Sequence, residues 1–427
     1  MTPADSRFDV VVLGGGSAGI AAAISAARAG ARTLLVERHG FLGGMATASL
    51  VHSICGLYLL RDEPGAVPAH PGFPTELASR LMESGAAPGP VRMGRMDVLP
   101  ISPPGMAWVC DALTAECRGL EVFLHTELVS VSVEAGVLSR IDVVSRGTAR
   151  TIRATTWLDA SGDAVLCAQA GVPCDQAPSA RLQRPAFVFG MHTADPAALD
   201  SEGRVRLAHQ IARAVSEGRL SPGCLGAQFR PTGRGTELYV TVDLAAGTDF
   251  DPHDPAQLGQ LERSGRAVAH EIHGFLRLHH PAFQNAHLGV FPARVGLRES
   301  RRMRGRQTVS ADAVLSGAAC EGEVALGTWP MELREVHTGP RWRFPQNNLP
   351  TRIPLGALRA IHLQNLWAAG RCISCDHEAQ AALRVMGTCM ATGQAAGVAA
   401  ALQAAGAADP AAESVRCWIQ TRAGVQP

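Results

Sequence analysis

The first apolar run of the chain, Phe8 to Leu13 (FDVVVL), is nearly continuous and rich in β-branched residues, the pattern of a parallel strand buried on both faces. An alanine-rich stretch runs on to about Arg28, Gly30 closes it, and Arg32 to Glu37 (RTLLVE) repeats the buried-strand pattern and ends on an acid. Strand, helix, strand is the expected opening unit. Period-two alternation then marks Glu121 to Val131, Leu138 to Val144 and Thr151 to Leu158, with Gly136 and Gly147 at the turns, and predicts an antiparallel meander with a third buried strand of the opening sheet after it. From about Pro173 to Leu355 the pattern changes to strands such as Pro185 to Thr193 and Thr236 to Leu244 among loops rich in Gly, Pro and Asp. Within that stretch Leu258, Leu261, Val268, Ile272, Phe275 and Leu276 recur at helical spacing and predict a helix over Pro255 to His279. Past Pro354, Leu366 to Ala369 reads as a short buried strand, and Ala379 to Ala405 as a long helix of small residues broken by Gly387 and Gly393. The expected fold is α/β: a Rossmann-like domain with a parallel sheet and a β-meander, split into 1–172 and 356–427, around an inserted mixed α+β substrate domain at 173–355.

The turn after the first strand is Gly14, Gly15, Gly16, Ser17, Ala18, Gly19, which is G-x-G-x-x-G. Gly14 permits the tight turn, Gly16 lets the backbone approach a pyrophosphate, and Gly19 lets the helix pack close to the strand. Ser17 and Ala18 open the helix, whose N-terminus offers free N–H groups and a partial positive charge to phosphates. Glu37, about twenty residues on, stands where a ribose hydroxyl pair is bound. Motif, strand, helix and acid together predict a dinucleotide site. The segment Arg38 to Thr47 (RHGFLGGMAT) favours FAD over NAD, because Gly43 and Gly44, with Arg38 and Met45 beside them, supply a second close backbone approach for a longer pyrophosphate and ribityl chain. Val129, on the meander, is expected against the same cofactor.

These residues resemble the FAD-dependent oxidoreductases with a glutathione-reductase-type FAD-binding fold, and within them a bacterial family with a GG-x-A-T turn after the first Rossmann hairpin. The likeness extends over most of the chain, through LDASGDAVLCAQAG at Leu158 to Gly171, VGLRESRRMRG at Val295 to Gly305, and the long segment from Asn365 to Leu402 that carries AGRCIS. The resemblance implies a flavoprotein whose FAD domain is discontinuous. It places Ser161 and Gly162 where a strand end closes over the cofactor, and Gly370 and Arg371 on the return. It also implies that the helix after Gly370 points its N-terminus at the flavin's pyrimidine edge, where a positive helix end stabilises the reduced anion. No substrate follows from it.

Composition narrows the function classes. A net charge of +1, with 18% charged and 46% hydrophobic residues, describes a near-neutral globular chain and argues against a nucleic-acid partner. All 39 basic Lys+Arg residues are arginine, so neither a lysine Schiff base nor an oxygen-activating lysine is possible. Eleven cysteines are scattered without a disulfide framework, and the polar start MTPADSR runs straight into a strand, so a cytoplasmic, reduced protein is expected. The apolar stretch Ala395 to Ala408 contains Gln403 and suits a close-packed helix, not a membrane span. His270, His273, His279 and His280 lack an acid or Cys at a fitting spacing, and no metal site is expected. Asp163 reads as a cap on the helix that follows it.

The reaction is expected beside Arg371 to Glu378, between the last strand and the last helix. His377 is the candidate general base, and when protonated the candidate positive charge for oxygen reduction. Cys372 and Cys375 form a C-x-x-C, readable as a redox pair, as a thioether anchor for FAD, or first of all as ordinary buried thiols. Glu378 and Arg384 complete the candidate set. Arg384, Arg298 and Glu299 lie in stretches that predict burial, so either they pair structurally or an arginine receives a substrate carboxylate. Glu332 and His337 are secondary candidates. Three functions follow: hydride transfer from a small organic substrate to flavin N5, with electrons passed to oxygen or another acceptor; monooxygenation after reduction by NAD(P)H or a partner reductase; or a thiol redox relay. No second G-x-G-x-x-G offers a stable nicotinamide domain. Oligomeric state is left open.

Overall fold

The computed structural model describes residues 6–193, 199–232, 234–336 and 339–422. Strand β1 (Ser6–Leu13), helix α1 (Ser17–Arg28) and strand β2 (Thr33–Val36) form the expected unit, with β1 and β2 parallel from Val10↔Thr33 to Leu13↔Val36. Strand β3 (Leu120–Phe123) adds parallel to β2. The chain then leaves this layer at His125, whose φ is +51°, and enters the meander β4 (Glu127–Glu134), β5 (Val137–Ser145) and β6 (Thr148–Asp159). The alternating run Glu121 to Val131 is therefore two strands of opposite role. Nor does another strand follow the meander: β6 pairs antiparallel with β5 in its first half while running parallel to β1 along its other edge, Ser6↔Ile152 to Leu13↔Asp159. Its sequence carries both roles, because the exposed start gives way to the buried Trp157, Leu158 and Asp159.

The second sheet is antiparallel. It comprises β7 (Ala186–His192), β8 (Gln228–Pro231), β9 (Glu237–Asp243) and β10 (His287–Val290), in the order β8-β9-β7-β10. Because side chains alternate along a strand, Phe187, Phe189, Met191, Leu238, Val240 and Val242 share one face. There they pack against α2 (Ser201–Ser216) and α3 (Pro255–His279), the latter with the bounds its periodicity predicts. The other face turns Ala186, Val188, Gln228, Arg230 and Thr241 toward a cavity. This second core draws only on Ala177 to Leu297; Val309, Val314, Val324, Ile353 and Leu355 pack with β1 and α1 in the first. The stretch 173–355 thus feeds both cores.

The chain returns through β11 (Leu366–Ala368), which pairs parallel with β6 at Leu366↔Trp157 to Ala368↔Asp159. Two helices follow, α4 (His377–Leu383) and α5 (Met386–Ala404), bent by 94°. The break falls at Arg384 and Val385, not at the glycines. Gly387, Gly393 and Gly397 lie inside or at the start of α5 for another reason: a Cβ on each would land on the carbonyl oxygen of Gly56, Ala18 and Ala22 respectively. Gly393 and Gly397 bring α5 to backbone distance of α1, the small-residue contact that lets two helices approach closely, while Gly387 seats the first turn of α5 against Gly56. Among the described residues no single helix is long and apolar enough to cross a membrane.

Candidate active site

One cavity of about 470 Å³ runs from the glycine turn to the second sheet. At the turn, Gly14 takes φ +103°, and a Cβ there would sit 2.5 Å from the Ala160 carbonyl oxygen. A Cβ on Gly19 would collide with Gly14 itself. Gly16 meets the Gly43–Gly44 turn backbone to backbone, with the Gly43 N–H donating to Gly15 O at 2.9 Å. Helix α1 begins without a side-chain cap, and Gly16, Ser17 and Ala18 line the cavity, so first-turn N–H groups are free for an anion. The buried Glu37 carboxylate accepts from Gly15 N at 2.6 Å and from His39 N at 2.8 Å.

Three arginines border this end: Arg38, Arg294 and Arg371. Arg371 is held by Asp163 at 2.6 Å and by the Gly162 carbonyl at 2.8 Å. Arg294 makes no ion pair among the described residues, and its Nε is buried without a partner. Burial first, then repulsion from Arg38, pulls its pKa down to about 10 against the attraction of Asp163. Glycine backbones that leave no room for a Cβ, free helix N–H groups, a buried carboxylate and an unneutralised guanidinium together fit a pyrophosphate and its ribose. Met45, Gly44, Ser161, Gly162 and Gly370 also line the cavity, whereas Gly19 and Gly43 shape it from behind. Val129 does not line it: its side chain is 56% exposed, while Glu127 and Leu128 on the same strand reach the cavity.

The far end is built from side chains. Met93, Met96, Val188, Trp329 and Trp342 give it apolar walls. Asp243 accepts from Arg298 at 2.7 Å and from Arg334 at 2.8 Å, and Arg334 donates on to Glu332 at 2.7 Å. Trp329 Nε1 donates to the second Glu332 oxygen at 3.1 Å. Burial opposes ionisation of Glu332, but Arg334, Arg384 and Arg298 outweigh it and hold its pKa below the usual range. Among the described residues the Arg384 side chain donates only to the Glu332 carbonyl, at 3.3 Å, and burial pushes its pKa down to about 10. Arg230 donates to Gln228 Oε1 at 3.1 Å and touches Met93 Sδ at 3.8 Å.

His52 also lines the cavity, stacked on Tyr239 at 4.7 Å. Its Nδ1 lies 3.0 Å from Leu50 O. A carbonyl only accepts, so Nδ1 carries the proton and Nε2 is left as a bare acceptor, buried and without a partner among the described residues. Burial drives the pKa to about 4, so the ring is neutral at neutral pH. Neither His52 nor Arg294 was singled out by the sequence: each lies in a loop without periodicity, and only its lack of a partner in three dimensions marks it.

The stretch 371–384 is placed differently from the expectation, since only Arg371 and Arg384 of it line the cavity. His377 is engaged at both nitrogens, by Glu299 at 2.8 Å and Glu335 at 3.0 Å. Burial lowers its pKa, but the two carboxylates raise it further, for a net rise. Glu299 also takes Arg302 at 2.7 Å, and Glu378 pairs with Arg343 at 2.6 Å. Cys372 is buried, with its sulfur accepting from Ala164 N at 3.3 Å, and burial pushes the Cys375 thiol up to about 12. Asp163 does not cap the next helix; it accepts from Ser300 at 2.7 Å and from Arg371, while Ser161 Oγ takes the Val165 N–H at 3.1 Å. Glu332 and Arg298 do reach the cavity. His337 lies outside the described residues.

The parallel sheet, the glycine turn and the acid at the end of β2 define a Rossmann-like dinucleotide-binding protein. The chain belongs to the FAD dependent oxidoreductase family, whose sequence profile matches residues 9–417, and its cofactor is FAD. An uncharacterized protein of Mycobacterium tuberculosis (strain H37Rv) is 38% identical over 113 residues, which is 25% of this chain and 20% of that protein. An uncharacterized Mycobacterium bovis protein matches to the same extent. The match therefore spans about a fifth of these curated relatives. Among solved structures, a geranylgeranyl bacteriochlorophyll reductase-like protein from Thermoplasma acidophilum aligns with TM-score 0.49 and 13% identity over 98% of this chain and 84% of its own. The rebeccamycin biosynthetic enzyme RebC aligns with TM-score 0.49 and 13% identity over 94% of this chain and 63% of its own.

Proposed function

We propose that this chain is a flavin-dependent dehydrogenase or oxidase that takes a hydride from a small organic molecule seated beneath the second sheet. The continuity of the cavity carries the reading: the glycine cradle and the Trp329–Trp342 wall line one space, so a substrate at the far end would meet the cofactor there. Bound FAD supplies the two-electron acceptor, taking the hydride at N5. In this reading, which keeps the glutathione-reductase-type arrangement, the N–H groups of Ser17 and Ala18 hold the pyrophosphate with Arg38 and Arg294. Glu37 holds the ribose hydroxyls.

The proton that leaves the substrate with the hydride goes to His52 Nε2. The Leu50 carbonyl fixes the tautomer that leaves this nitrogen bare. Leu50 holds φ +54°, a strained conformation for a leucine, and that strain is understandable if its carbonyl must face the ring. Met93, Met96 and the two tryptophans line the space where the apolar body of the substrate would lie. Anaerobic mixing of the yellow holoprotein with candidate substrates tests the proposal. Bleaching by a substrate alone is the expected result, whereas bleaching only by NADH or NADPH would replace hydride abstraction with oxygenation or reduction.

A further inference from the structure

At the far end of the cavity charge does not balance. Asp243 and Glu332 are consumed by Arg298 and Arg334, and their remaining oxygen goes to Trp329. Arg230 and Arg384 are left over: both line the cavity, and neither has an ion pair among the described residues. Buried guanidinium groups normally have a carboxylate, and leaving two without one is costly unless something else supplies the negative charge. Arg384 also keeps a buried Nε with no partner among the described residues. Around the two stand Trp329, Trp342, Met93 and Met96, an apolar and aromatic wall, and the other two arginines at this end, Arg298 and Arg334, are already paired with Asp243 and Glu332.

We infer that the substrate is an organic acid, an aromatic or similarly apolar molecule bearing one carboxylate, and that Arg230 and Arg384 receive that carboxylate. The inference rests on the reading of this end of the cavity as the substrate site. A planar guanidinium matches a carboxylate through two parallel N–H donors, which gives orientation as well as attraction. With the carboxylate held there and the body of the molecule against the tryptophans, the reacting carbon is presented between His52 and the cofactor end.

The test uses the FAD-loaded protein and flavin difference absorbance, with phenylacetate and indole-3-acetate as probes against their neutral amides. The acids are expected to perturb the flavin spectrum saturably and to bind about 10- to 100-fold tighter than the amides. Arg230→Met and Arg384→Met should each remove most of that preference. Arg341→Met, which alters an exposed arginine paired with Glu335, should leave it intact. Equal affinity for acid and amide, or no perturbation by any probe, overturns the inference. Should a variant lose FAD, the acid-against-amide comparison on the unaltered protein still decides it. Because the readout is binding and not bleaching, an acid preference in a protein that no substrate bleaches would leave the anion site standing and remove hydride abstraction.

Discussion

The two ends of the cavity handle charge by different means. At the glycine turn main-chain N–H donors, fixed by the geometry of one turn and one helix, face the cavity beside Glu37 and three arginines. At the far end the groups facing it are side chains of His52, Arg230, Arg298, Glu332, Arg334 and Arg384, with Asp243 behind them holding Arg298 and Arg334, and Glu332 holding Arg334. A backbone site has no side chain to lose, so it fails when something is added. A side-chain network fails when a member is taken away.

The largest effects should therefore come from adding atoms at one end and removing charge at the other. Gly393→Val would drive a side chain into the Ala18 carbonyl and push α5 off α1, and purification should yield protein without bound flavin, read from the absent visible spectrum. Asp243→Ala leaves Arg298 and Arg334 without their shared acid, and denaturant unfolding should show a loss of about 3–5 kcal/mol. If that variant is as stable as the parent, the far end is not a coupled network. His52→Ala should retain FAD and lower kcat by roughly 100-fold or more, while His377→Ala should leave kcat within a few-fold. The reverse ranking would return the base role to His377.

The two histidines also sharpen the comparison through pH. The His52 pKa is depressed to about 4 in the folded state, so the unfolded chain binds a proton first as pH falls below about 6.5. Stability is then lost as pH falls from about 6.5 to about 4, on the order of 3 kcal/mol in all. His377 has the opposite sign: its raised pKa contributes stability that is complete below the unfolded value and fades as pH rises through the folded one. Thermal melts of His52→Gln should show a shallower acid slope, the rest being kept by buried His70, whose pKa is also pushed down to about 4, and those of His377→Gln a shallower slope on the alkaline side. Smallest of all, Cys375→Ala should change neither flavin content nor turnover beyond about 1 kcal/mol of stability, as expected for a buried, protonated thiol.

Much of the cofactor end was legible in the sequence because its parts are neighbours in the chain. Gly14, Gly16, Glu37 and Gly44 lie within one strand–helix–strand unit and the turn that follows it, where spacing and geometry are the same information. The substrate end had no such spacing to read. Arg384 and Arg298 stood out only as charges in stretches that predict burial, and Arg230 alternates along its strand like any outward-facing polar residue. His377 drew attention because it sits between a strand and a helix, and two carboxylates from distant loops, Glu299 and Glu335, give it a different employment. The break in the last helix was misplaced for a related reason: glycine was read as a local flaw, where its use is contact with another helix.

That contact also sets an order of events during synthesis. Helix α1 ends at Arg28, and the surface it buries against α5 does not exist until Met386 to Ala404 have been made. Until then the nascent chain carries the whole glycine motif on a helix with one bare side, and closing so long a loop is slow. A chain arrested before Met386 would display the full dinucleotide signature with this face of α1 still uncovered.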